Sequence, residues 1–309
     1  MPYAALPPVS RDARLAQAEA RWLAMVAGKP DLHAAISLQR KLIGLVVDLA
    51  EAFEAEPSPR LSLPPRYLTT KLSSGIPALT GEPIPAPVDT VRPALLDLCR
   101  SLAERGGGEA TLQIRAAMEE GRLDVPALLT LTLRREQGAL RAMATRAGLG
   151  HDLLWLVADL AVSPYAHALL DSLFGHVPPG SPLAIALDGW SRGYCPLCGS
   201  WPTLAEARDD ARRRLRCSFC AAAWDVPKGS CLYCGDASAS FTSIITDLAR
   251  PRRVVETCGA CRGYAKVIDI DVSLPFPLLA LADLDSLDLD LAAMQQGYAR
   301  PAVKQFTRR

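Results

Sequence analysis

Apolar and polar positions along this chain follow two different periods, and the change between them falls near residue 185. Upstream, hydrophobic residues recur at three- and four-residue intervals. The clearest run is Leu32 to Ala55, with Ile36, Leu42, Ile43, Val46, Val47 and Leu49 on helical spacing, no Pro, and Asp31 placed to cap it. Glu19–Val26 precedes that run, separated from it by Gly28-Lys29-Pro30. The same pattern predicts helices over Thr90–Ala103, Leu112–Glu120, Pro126–Ala147 and His151 to Val162, with Ser163-Pro164 opening another through Phe174. A Pro-rich stretch from Pro57 to Pro87 reads as an irregular segment laid over the surface.

After Pro178-Pro179-Gly180, short β-compatible stretches alternate with Gly, Pro and Cys. The organisation expected is an α-helical domain over 1–185, two tandem cysteine modules over 186–228 and 229–274, and a helical tail over 275–309. In that tail Leu284, Leu287, Leu291 and Met294 share a helical spacing, the stripe of a helix docked on this protein's own core.

The chain has 309 residues, 50% hydrophobic and 22% charged, with a net charge of +1, so no global field draws it to nucleic acid or a membrane surface. Met1–Pro8 does not read as a secretory signal. The apolar segments Leu42–Ala50 and Leu153–Val162 are interrupted by Asp and fall short of the ~20 residues of a membrane span. The expectation is a cytoplasmic, reduced protein without membrane insertion.

In a reduced compartment, regularly spaced cysteines read as metal ligands rather than disulfides. Eight of the nine form four Cys-x-x-Cys pairs: Cys195/Cys198, Cys217/Cys220, Cys231/Cys234 and Cys258/Cys261. Such a turn places two sulfurs on one side of a tight loop, with backbone N–H groups directed at them; one pair supplies half a tetrahedral shell. Gly199 and Gly235 suit the positive φ that the turn needs after its second Cys.

Eighteen residues separate Cys198 from Cys217 and 23 separate Cys234 from Cys258, each enough for a hairpin, with Asp209-Asp210 and Asp247–Pro251 at the turns. Ten residues link Cys220 to Cys231, so sequential pairing is favoured over an interleaved brace. An S₄ set suits zinc or a single iron held as in rubredoxin. Cys99, in the apolar Leu95–Cys99, reads as a buried thiol.

Both hairpins carry arginines before their second pair, Arg212, Arg213, Arg214 and Arg216, then Arg250, Arg252 and Arg253. They read first as compensation for the formal −2 charge of a divalent metal–tetrathiolate centre, with a nucleic-acid patch as the competing reading. The aromatics Tyr194, Trp201, Phe219, Trp224, Tyr233 and Tyr264 read as packing around the sites. His33, His151, His167 and His176 form no cluster, although the spacing of His167 and Asp171 could place them on one helix face; with no phosphate loop and no nucleophile elbow, the helical part shows no catalytic constellation.

The segments Tyr194–Ser200, Leu215–Cys220 with Trp224, Cys231–Cys234 and Glu256–Cys261 with Tyr264 and Lys266 resemble the formate dehydrogenase accessory protein family FdhE. Ala282–Leu287 and Gln296–Arg300 are similar to the family's closing segment, and the match extends over roughly residues 190–306. The Ala-rich Ala221-Ala222-Ala223 and the basic end Thr307-Arg308-Arg309 depart from it. The resemblance implies a cytoplasmic maturation factor that binds the catalytic subunit of formate dehydrogenase and supports its assembly, a chaperone rather than an enzyme. It also implies rubredoxin-like modules with one iron per four-cysteine site, zinc being the alternative ion. A zinc-ribbon nucleic-acid binder and a rubredoxin-type electron carrier stand as alternatives, and self-association is left open.

Overall fold

The computed structural model describes residues 9–55, 61–104, 108–270 and 273–302; Met1–Pro8, Pro57 and Thr307-Arg308-Arg309 lie outside them. The described chain forms two compact units.

The first takes in the described residues of 9–62 and 81–173 and is helical. Helix α1 (Arg11–Gly28) starts earlier than periodicity alone suggests, because the Ser10 side chain accepts from the Ala13 N–H and Asp12 sits in the positive first turn. Helix α2 (His33–Ala55) follows a 3₁₀ turn, Pro30–Leu32, so Asp31 lies in that turn instead of capping the helix. Helix α3 (Pro65–Ser73) forms inside the Pro-rich stretch, against its irregular reading, because a proline at the first helical position removes a donor that has no helical partner anyway.

Helices α4 (Val88–Leu102) and α5 (Gly108–Glu119) come next. The expected Pro126–Ala147 helix is two helices, α6 (Val125–Leu133) and α7 (Gln137–Ala147). They break at Arg135, whose φ is +58° and whose guanidinium pairs with Asp159 and stacks on Trp155 at 4.5 Å. Pro164 has the opposite outcome. Helix α8 (His151–Phe174) runs straight through it, and the Ser163 hydroxyl donates to the Leu160 carbonyl that the missing proline N–H leaves free. At 24 residues α8 is long and apolar enough to cross a membrane, but 61% of its most apolar window is buried, the packing of a core helix. Phe53 meets Tyr165 at 5.3 Å in this core. Each such fully buried side chain contributes about 1.5–3 kcal/mol.

The second unit comprises residues 63–80 and the described residues from 174 to 302. Residues 63–80 fall within the stretch read above as the helical domain. Helix α3 packs against α9 (Pro182–Asp188), which the Ser181 side chain caps. The strands are β1 (Leu204–Glu206), β2 (Arg212–Arg216), β3 (Ala223–Pro227), β4 (Phe241–Ile245), β5 (Val254–Cys258) and β6 (Tyr264–Ile268). They form one sheet in the order β3-β2-β1-β6-β5-β4. Each cysteine module supplies three strands, and the modules join where β1 runs parallel to β6, with Ala205 opposite Val267 and Glu206 opposite Ile268. Asp209-Asp210 and Asp247–Pro251 lie in the hairpin connections, as expected.

Helices α10 (Leu279–Asp285) and α11 (Leu287–Gln295) close the unit. Helix α11 docks, but not by the stripe expected. Leu287, Leu291 and Met294 are 38%, 51% and 60% exposed, whereas Leu289, Asp290 and Ala293 face inward. A carboxylate wins the buried position because it is fully partnered: Asp290 accepts from Lys266 (2.7 Å), the Tyr264 hydroxyl (2.8 Å) and Arg300 (2.8 Å).

Candidate metal centres

The eight cysteines gather in two sequential groups, Cys195/Cys198/Cys217/Cys220 and Cys231/Cys234/Cys258/Cys261, with all sulfurs of a group within 4.8 Å of one another. Sulfur–sulfur distances of 3.5 Å (Cys195–Cys220), 3.6 Å (Cys198–Cys217) and 3.9 Å (Cys198–Cys220) recur in the second group as 3.6 Å for both Cys231–Cys261 and Cys234–Cys258. A tetrahedral ion with metal–sulfur bonds of about 2.3 Å requires sulfurs about 3.8 Å apart, so the donor sets fit one ion each. The separations far exceed the ~2.05 Å of a disulfide.

One local design is used four times. In every pair the N–H of the residue after the second Cys closes the turn. Gly199, Ala221, Gly235 and Arg262 donate to the carbonyls of Cys195, Cys217, Cys231 and Cys258 at 2.8–3.0 Å. The N–H of the first Cys of each pair donates in turn to the carbonyl of Ser200, Ala222, Asp236 or Gly263. The turn drives the residue after the second Cys into left-handed conformation, with φ of +77°, +63°, +80° and +59° in chain order. Glycine fills that place in the first and third knuckles; Ala221 and Arg262 tolerate it in the others. None of the four knuckles opens a helix, which separates them from the low-pKa redox thiols of a Cys-x-x-Cys helix N-terminus.

Electrostatics differ between the groups. Burial pushes the Cys195 and Cys220 thiols well above their ordinary value, so a bound cation has to offset the cost of their thiolates. The Asp236 N–H directed at Cys234 holds that thiol below its ordinary value. Burial raises Cys99, alone in α4, to about 11, which fits a buried structural thiol.

Five of the seven hairpin arginines pair with carboxylates, and Arg212 donates to the Asp225 carbonyl. Arg216 (0% exposed) pairs with Glu206, Arg213 (1%) with Glu256, and Arg214 with both oxygens of Asp225 at 2.9 and 3.1 Å. Arg253 pairs with Asp288, and Arg252 with Asp209 and Asp269. The pairs of Arg216 and Arg214 join adjacent strands, and that of Arg213 reaches from β2 to β5 across the sheet.

Aromatic residues run as a chain from one knuckle to the other. Trp190 meets Tyr194 at 5.5 Å, Tyr194 meets Trp201 at 5.8 Å, and Trp201 meets Tyr233 at 5.0 Å, all edge to face. Among the described residues, no histidine joins a group of three or more ligand-type side chains; His167 is half-buried on α8 and Asp171 exposed.

Periodicity and spacing missed one feature, the role of the closing segment. The guanidinium of Arg262 donates to the carbonyls of Gln296 (2.9 Å) and Gly297 (3.2 Å) and stacks on Tyr298 at 4.4 Å, and the Ala299 N–H returns to the Arg262 carbonyl. The segment therefore clasps the fourth knuckle. An arginine at the place where the first and third knuckles carry glycine is the signal that could have pointed there.

Residues 230–307 match the family model described as FdhE, C-terminal domain. The chain is 32% identical over 118 residues to an FdhE homologue of Aquifex aeolicus, covering 37% of this chain and 41% of that protein. It is 30% identical over 185 residues to the Pseudomonas aeruginosa homologue, covering 57% and 58%. These alignments thus span about two fifths to three fifths of the curated relatives. The crystal structure of the FdhE protein from Pseudomonas aeruginosa superimposes with a TM-score of 0.60 at 25% identity, over 97% of each chain. The resemblance carried by the knuckles and closing segment is thus met by the family model over the third and fourth knuckles and the closing segment, by the FdhE relatives over part of their length, and by an FdhE structure over the whole fold, and the chain is similar to the FdhE proteins.

Proposed function

We propose that the chain is an accessory factor that binds the catalytic subunit of formate dehydrogenase and assists its assembly in the cytoplasm, acting as a chaperone without a reaction of its own. The observation that carries this reading is the pair of four-cysteine clusters on the turns of one sheet, in a chain whose fold matches an FdhE structure over 97% of its length. The eight cysteines serve as ligands, one ion to each of the modules 186–228 and 229–274. Iron is the first choice, on the rubredoxin-like S₄ donor set, and zinc takes the same set. The ions supply cross-links that hold each three-stranded module in shape, since so little chain builds only a small core.

Nucleic acid is a poor fit as partner. Arg213 and Arg216 are buried against Glu256 and Glu206, so neither presents its charge to phosphate.

The test is capture of a purified formate dehydrogenase catalytic subunit by the metal-loaded chain, with metal analysis after purification without oxygen. Wild type is expected to retain the subunit and Cys195→Ser to lose it. Equal capture by both, or capture by neither, would refute the reading.

A further inference from the structure

The two clusters are alike in construction and unlike in their access to solvent. Cys195, Cys217 and Cys220 are 0% exposed and Cys198 6%. In the second group Cys231 and Cys258 are buried, but Cys234 and Cys261 are exposed.

The surroundings explain the difference. Over the first knuckle, the N–H groups of Ala78 and Leu79 donate to the carbonyls of Pro196 (2.8 Å) and Leu197 (2.9 Å), and the Tyr194 hydroxyl donates to the Gly75 carbonyl. Phe219 and Trp224 of the same module are both 0% exposed. Over the third knuckle the cover is narrower: Gly193 lies against the Leu232 carbonyl and Trp201 against Tyr233, and Cys234 stays exposed. There a cleft of about 250 Å³ is lined in part by Tyr194, Trp201, Tyr233 and two of the four cysteines, Cys231 and Cys234.

Metal leaves an S₄ site by ligand substitution, which needs a path for the incoming donor. Among the described residues the first group is enclosed, whereas the second has a cleft and two exposed cysteines. We propose that Cys231/Cys234/Cys258/Cys261 is the exchanging site, admitting small thiolate donors, and that Cys195/Cys198/Cys217/Cys220 keeps its ion as long as the module stays folded. In the exchange the incoming thiolate forms a metal–sulfur bond as the bond to Cys234 or Cys261 breaks. The freed sulfur takes a proton from solvent, and no electron moves. The inference rests on both clusters being metal sites and is independent of the partner.

The experiment loads the full chain with Zn²⁺ to two equivalents and challenges it with 4-(2-pyridylazo)resorcinol, with and without glutathione. Two phases of one equivalent each are expected, the slow one limited by local unfolding and on the order of 100-fold slower. Glutathione should accelerate the fast phase alone. Iodoacetamide added after the fast phase, followed by peptide mapping, should label Cys231, Cys234, Cys258 and Cys261 and spare the other four. Release of both equivalents in one phase, or early labelling of Cys195 to Cys220, overturns the proposal while leaving the metal reading standing. Uptake below two equivalents overturns the metal reading itself.

Discussion

The four knuckles differ most at a single backbone position, the left-handed residue after the second cysteine. Gly199 and Gly235 occupy it without cost, whereas Ala221 and Arg262 hold a Cβ against the following carbonyl, at about 1–2 kcal/mol in L-residues. Arg262 recovers some of that by clasping the closing segment; Ala221, 5% exposed, gains no such contact from its methyl group. Ala221→Gly should therefore stabilise the chain by about 1 kcal/mol, less the entropy of the added glycine. Thermal melts of the metal-loaded variant check this, and an unchanged or lower midpoint would count against the strain argument. Arg262→Gly should do the opposite, because it also releases Gln296 and Gly297.

At the level of elements, α11 is held by charge where an apolar stripe would be expected. Burial alone would raise the Asp290 carboxyl, but Lys266 and Arg300 outweigh it and hold the group below its ordinary value. A depressed carboxyl contributes stability that is complete above its unfolded pKa, about 3.9, and is lost as pH falls through the lower folded value. Docking of α11 should thus weaken from about pH 4 downward. Asp290→Asn should be less stable than wild type at pH 7 and show a flatter acid limb in melts followed from about pH 6 to about pH 3. A wild-type limb that survives unchanged in Asp290→Asn would assign the acid sensitivity elsewhere. Leu291 and Met294 play no part in this docking, being half exposed or more.

Across the sheet unit, the two modules are joined by backbone as well as by side chains. A Cβ on Gly193, just ahead of the first knuckle, would lie 2.0 Å from the Leu232 carbonyl oxygen inside the third. Only glycine allows that approach, and backbone cannot retreat as a flexible side chain can. Gly193→Ala should destabilise the unit by about 2–4 kcal/mol, at the severe end for point changes, and widen the cleft beside Cys231 and Cys234. Circular dichroism melts and the chelator assay report the two effects separately; wild-type values in both would mean that the modules part easily at this contact.

The same whole-unit view separates what was legible in the residues from what was not. The gathering of the cysteines, their sequential grouping, the hairpin turns and most helices are properties of local spacing: a two-residue gap makes a knuckle, and a 3.6-residue period makes a helix wherever they occur. Even the local misreadings have local causes, Pro65 starting a helix and Ser163 letting α8 pass Pro164. The parallel pairing of β1 with β6, residues 63–80 lying over the first knuckle, and the closing segment on the fourth join stretches tens of residues or more apart in the chain. No period or spacing records such contacts. They depend on which surfaces remain to be buried once each element has formed, and that packing encloses one cysteine cluster and leaves the other half open.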